Sequence, residues 1–188
     1  RQAAEVLASV IEPASRAFGD RVRHVLDVRL EHANALFEGG DYRNAAPAYA
    51  QLAVDLASHD GADVDRVRHC RFREATCYAL IGDASQALRK CNDLLRDVIR
   101  WYGKDHAHAV ELRRQIGLLQ LGAGRRQDAE KTLSELLNDL TSRHGPAHPA
   151  VAELDDMLKQ LRPPQDDDDD DESRGHPSSR PPTGHYRG

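Results

Sequence analysis

The sequence predicts an all-α protein, a solenoid of antiparallel helix pairs followed by a disordered acidic C-terminal tail. Three observations carry this. Sliding the chain along itself by 42 residues superimposes Gly40, Gly82 and Gly124, then Ala45, Ala87 and Ala129, then Leu52, Leu94 and Leu136. A second glycine column, Gly19, Gly61, Gly103 and Gly145, keeps the same period over four copies. The composition is 39% hydrophobic, rich in alanine and only 5% aromatic. That mixture suits close-packed helices better than a sheet, which favours β-branched and aromatic residues. Two glycines per period mean two helices per unit, because glycine supplies the left-handed conformation on which helices end.

Taken in order, residues 1–20 form a partial unit, a second-type helix without its partner, with Ala3 standing 42 before Ala45. Full repeats follow at 21–61, 63–103 and 105–145. Their first helices are expected at 22–39, 64–81 and 106–123, and their second helices at 42–58, 84–101 and 126–143. In "EGGDYRNAAPAYA", residues 38–50, the glycine pair stops one helix and Asp41 is suited to cap the next. Pro47 costs about 3 kcal/mol deep in a helix. A later start with Asn44 as the cap, which puts the proline in the first turn, is therefore expected in this copy. "AHPAVAELDDMLKQL", residues 147–161, gives a capping helix with one apolar stripe of Val151, Leu154, Leu158 and Leu161. From Arg162 onward the chain is rich in proline, serine and like charge, and it lacks periodic apolar residues. Residues 162–188 therefore cannot offset their ordering entropy and are expected to be a disordered acidic tail.

Charge and composition exclude several classes. The net charge is −5, of which residues 163–188 carry −4 (three arginines against six aspartates and one glutamate), leaving −1 for the repeats. So balanced a body does not suit nucleic acid. No apolar run reaches 18 residues, so no membrane insertion is expected, and no secretory leader opens the chain. The first residue falls inside a repeat and is not methionine, so the chain reads as part of something longer. Lysines number four among 26 basic residues, a bias that fits a GC-rich bacterial genome.

No chemistry-bearing constellation emerges. Cys70, Cys77 and Cys91 lack metal spacing, and the first two share a helical face, so all three read as small core residues in a reduced, cytoplasmic setting. His106, His108, His144 and His148 cluster in loops, but His106 and His148 are repeat equivalents and nothing completes a metal set. The serines lack a nucleophile elbow. No catalytic residue, metal or cofactor is expected. "DRVRHCRFR" puts Arg66, Arg68, Arg71 and Arg73 within eight residues, as a phosphate-binding patch would. Yet Arg29, Arg71 and Arg113 form one column and Asp55, Asp97 and Asp139 another. Early in a first helix and late in the second, they meet at one level of an antiparallel hairpin. A salt-bridge ladder is the expected arrangement. The acidic block Asp166–Asp171 with Glu172 is expected to stay solvated, with no ordered contact to the repeats.

The glycine–aspartate turn, the small residues Ala33, Ala75 and Gly117 and the later alanine column resemble tetratricopeptide repeats. The 42-residue spacing and the loops "YGKDHAHA" and "HGPAHPAV" are similar to the kinesin-light-chain variety. The resemblance implies a right-handed superhelix whose first helices line a concave peptide groove. Counted from the shared glycine, the groove-facing positions are Glu31, Asn34, Arg73, Thr76, Arg114, Gln115 and Leu118. The chaperone-binding pattern survives only as Asn34, with Leu30, Arg73, Glu111 and Gln115 at its other positions, so a chaperone-tail receptor is not implied. "LFEGGDYRNAAPAYAQLA" and "CRFREATCYALIGDASQAL" are also similar to repeat regions following the kinase domain in bacterial serine/threonine kinases. No glycine-rich ATP loop, HRD or DFG occurs, so a kinase domain would lie outside this chain. The implied role is a protein-interaction module for a protein or peptide partner, or for its own kinase domain. The alternative is the effector-sensing repeat region of a bacterial transcription regulator of the NTPase-plus-repeat type.

Overall fold

A computed structural model describes residues 2–19, 22–58 and 63–161. They form eight helices: α1 Gln2–Phe18, α2 Arg23–Glu38, α3 Tyr42–Ala57, α4 Val64–Ile81, α5 Ala84–Tyr102, α6 Ala107–Gly122, α7 Arg126–His144 and α8 Pro149–Leu161. There is no strand among the described residues. The expected tail and the loop around Gly61 lie outside them. Each helix packs on the next in sequence, from α1 on α2 to α7 on α8, the contact pattern of a solenoid. The first-type helices are α2, α4, α6 and α8; the second-type helices are α1, α3, α5 and α7.

The turn inside each hairpin follows from its glycine. Gly40, Gly82 and Gly124 have φ of 76°, 89° and 73°, a region that costs an L side chain strain and glycine none. Asp41 and Asp83 then cap α3 and α5 by accepting from the backbone N–H of Asn44 and Gln86. The cap of α3 is Asp41, which corrects the expected start at Asn44. Pro47 consequently lies well inside the helix. The proline removes the bond to the carbonyl of Arg43, but both residues are exposed, so water can take that carbonyl. The hairpin turn, set by Gly40 and Asp41, outweighs the proline's local preference.

The interior is built from the repeat columns. Ala45, Ala87 and Ala129 are fully buried, and Leu52, Leu94 and Leu136 are 2%, 1% and 1% exposed. Val10 holds the same place in α1 and is 47% exposed: α2 packs on one side of α1, but among the described residues no first-type helix precedes α1 to cover the other. Small residues let the helices of a hairpin approach. Ala33 and Ala75 are buried, and at Gly117 an added Cβ would stand 2.5 Å from Leu133 Cδ2. In α8 the equivalent residue is Lys159, exposed and paired with Asp155 at 2.7 Å.

The ladder is present in all three hairpins. Arg29 reaches Asp55 at 2.9 Å, Arg71 pairs with Asp97, and Arg113 reaches Asp139 at 2.6 Å. Arg113 holds the Asp139 carboxyl below its ordinary value, chiefly through that hydrogen bond. Such partly buried pairs fix the register of two helices more than they add stability. Cys70, Cys77 and Cys91 are free and buried, and burial pushes each thiol up to about 11.

Candidate functional site

The first-type helices lie side by side and are tied to one another. Arg66 of α4 pairs with Asp27 of α2 at 2.7 Å, and Arg73 of α4 stacks over the Phe37 ring of α2 at 4.5 Å. Between α4 and α6, Asp65 faces His108 at 3.9 Å; it also accepts at 2.8 Å from the hydroxyl of Tyr102, at the end of α5, which holds its carboxyl below the ordinary value. The "DRVRHCRFR" arginines are thus spread over four partners. Arg66 goes to Asp27, Arg68 to Asp65, Arg71 to Asp97 and Arg73 to Phe37. They do not converge on one anion.

All seven groove candidates lie on these helices: Glu31 and Asn34 on α2, Arg73 and Thr76 on α4, Arg114, Gln115 and Leu118 on α6. Several already have partners. Asn34 accepts from the Tyr49 hydroxyl at 2.7 Å, and Thr76 donates back to the Phe72 carbonyl at 2.9 Å. Arg114 donates twice to Glu111, at 3.0 Å each, and Gln115 donates to the same carboxylate at 2.8 Å. Arg114 therefore holds the Glu111 carboxyl below its usual range. Glu31 is exposed, and Leu118 is half-buried. The structure draws Arg114 and Gln115 together around Glu111, while Arg73 is joined instead to Phe37.

Between neighbouring first-type helices, over the second-type helix beneath, runs a series of slots. The slot between α4 and α6 is lined by Arg68, Phe72, Leu94, His108, Glu111 and Leu112 and encloses about 80 Å³. Adding 42 to each number gives Val110, Arg114, Leu136, Ala150, Glu153 and Leu154, and all six line the slot between α6 and α8. There the volume is about 310 Å³, with Glu111, Leu140 and Met157 completing the wall. Three exchanges account for the difference. Phe72 gives way to Arg114, which bends along its own helix to Glu111; His108 gives way to Ala150; Arg68 gives way to Val110. The six equivalents between α2 and α4 include Leu26 and Leu30, packed into the first core cluster.

The loop histidines are structural. His106 caps α6, its Nδ1 accepting from the His108 N–H at 3.2 Å, and His148 accepts likewise from Ala150 at 3.3 Å. Tyr102 stacks on His106, and its repeat equivalent His144 lies against His148 at 4.7 Å. Among the described residues no group of three or more His, Cys, Asp or Glu is placed to hold a metal. Nor is any described helix long and apolar enough to cross a membrane.

This arrangement is that of a tetratricopeptide-like α-solenoid, and known structures share it. A protein of Podosopora anserina described as a kinesin light chain with nearly identical TPR-like repeats superposes with a TM-score of 0.68 at 15% identity, over 85% of this chain and 76% of that one. A variant of that protein gives 0.67 with the same coverage. BtubC (BKLC) from P. vanneervenii gives 0.61 at 17% identity, over 85% of this chain and 64% of its own. No family model matches the chain, and no curated protein is similar to it at a significant level.

Proposed function

We propose that the chain is a protein–protein interaction module whose first-type helices hold an extended segment of a partner. The observation that carries this reading is the side-by-side array of α2, α4 and α6, crossed by slots with apolar floors and polar rims. A preformed surface of this kind gains affinity from many modest contacts, with little ordering cost on its own side. Glu31, Arg73 and Gln115, repeat equivalents along that face, are the proposed reading positions, with Asn34, Thr76 and Leu118 one turn further on. The proposed setting is a bacterial cytoplasm, where three buried free thiols stay reduced. The proposed context is the C-terminal partner-recruiting region of a serine/threonine kinase, supported by the likeness of residues 36–53 and 70–88 to such regions.

Selection of 16-residue peptides displayed on phage tests the module reading. Enriched peptides should lose at least tenfold in affinity for a Glu31→Arg, Arg73→Glu double variant. They should bind an Arg89→Glu, Arg96→Glu variant of the second-type helix α5 unchanged. Equal binding to both variants would remove the groove from the account. The kinase context is checked separately, by whether the chain binds a purified kinase domain encoded with it.

A further inference from the structure

Resting on the groove reading, we propose that the widened slot between α6 and α8 is the groove's anchor site. It takes one bulky apolar side chain, aromatic or long aliphatic, from a segment with basic residues beside it. The register argument comes first. Six repeat positions line about 80 Å³ in the preceding slot; their equivalents, joined by Glu111, Leu140 and Met157, line about 310 Å³ here, where a phenylalanine and an imidazole are missing from the wall. The second volume falls at the lower end of the range for preformed ligand pockets and admits an aromatic ring.

The lining sets the class of occupant. Val110, Leu136, Leu140, Ala150, Leu154 and Met157 make the walls apolar, and the unbranched thioether of Met157 adapts to an incoming ring and favours contact with it. The rim sets its charge. Arg114 is engaged by Glu111 in two hydrogen bonds, so its charge is matched. Glu153, exposed at the same rim, makes no salt bridge among the described residues and shares the charge of Arg114 with Glu111, so two carboxylates face one guanidinium and the edge is net negative. A basic neighbour completes it; an acidic one is repelled.

Met157 is the chain's single methionine, so methyl-¹³C labelling places one resonance inside the slot. The intact chain is titrated with the blocked peptides GRFRG, GRARG and GDFDG. GRFRG should move the Met157 methyl saturably, at about millimolar concentration for one anchor residue. The alanine and aspartate peptides should be at least tenfold weaker. Ala150→His, which restores the preceding slot's imidazole, should weaken GRFRG at least tenfold. Should that variant fail to fold, Glu153→Lys, an exposed change, should reverse the preference between GRFRG and GDFDG. An unmoved Met157, an equal response to GRARG, or an unchanged preference in Glu153→Lys overturns the proposal. So does a Met157 resonance that depends on protein concentration or on removal of residues 162–188, since a second copy or the chain's own tail would then be the occupant. Selected peptides that bind through Glu31 and Arg73 while Met157 stays still would leave the groove standing and remove only the anchor.

Discussion

Replacing Gly117 by alanine should destabilise the protein, although alanine is the better helix former. In α6 the gain in helix propensity is about 0.5–1 kcal/mol. Against it, the new Cβ would stand 2.5 Å from Cδ2 and 2.6 Å from Cγ of Leu133, a fully buried residue of α7. Contact with Cγ cannot be relieved by rotating the end of the side chain, so α6 and α7 must part or Leu133 must leave its rotamer. Overpacking of this kind costs about 1–3 kcal/mol, giving a net loss of up to about 2.5 kcal/mol. Gly122 is the internal control. It lies at the end of the same helix, an added Cβ meets nothing within 4 Å, and Gly122→Ala should therefore stabilise by up to about 1 kcal/mol. The preceding repeat supplies the compatible pair, Ala75 with Cys91 where this hairpin has Gly117 with Leu133. Leu133→Cys should thus absorb the alanine, with a coupling of about 1 kcal/mol in a double-mutant cycle. Urea unfolding followed by circular dichroism measures all four. Stabilisation by Gly117→Ala equal to that of Gly122→Ala would refute the claim that this column sets the distance between helices.

Asp97→Ala leaves both Arg71 and Arg100 without their carboxylate and should cost about 1–3 kcal/mol, read as a lower urea midpoint; no change would reduce the ladder to a surface feature. Cys70, Cys77 and Cys91, each pushed up to about 11 by burial, should resist a thiol reagent at pH 8 and react as three thiols after unfolding. The same raised values put a loss of stability between pH 9 and 11, where the unfolded chain gives up the thiol protons first. In acid the sign reverses. His32, His69 and His108 are lowered chiefly by burial, so their contribution is whole above pH 6.5 and falls away as the pH drops below it. The urea midpoint should be lower at pH 5.5 than at pH 7.5, and a flat profile would contradict the burial.

Much of the fold was legible because its punctuation is local. A glycine of positive φ marks each hairpin turn, an aspartate cap follows it in the first two, and the 42-residue period repeats the signal. The ladder was legible for the same reason, since two columns at a fixed separation of 26 must meet in every hairpin. Pro47 was misplaced because a local helix rule was weighed against a turn whose strength comes from the packed hairpin. The candidate groove residues were assigned to the first-type helices, where they lie, but not their partners. That Tyr49 holds Asn34 and Glu111 holds both Arg114 and Gln115 depends on side-chain direction, which spacing does not carry. The widened slot went unread because its wall comes from three helices. Its signal was nonetheless in the register, where Phe72 and His108 become Arg114 and Ala150 one period later.

Mapping a bound peptide onto the two layers of helices tests the central claim most directly. Backbone amide spectra of the intact chain, recorded with a phage-selected peptide, should change along α2, α4 and α6, around Glu31, Asn34, Arg73, Thr76, Gln115 and Leu118. The exposed positions of α3, α5 and α7, such as Val54, Arg89 and Arg96, should stay still. Changes confined to those second-type helices would contradict the account.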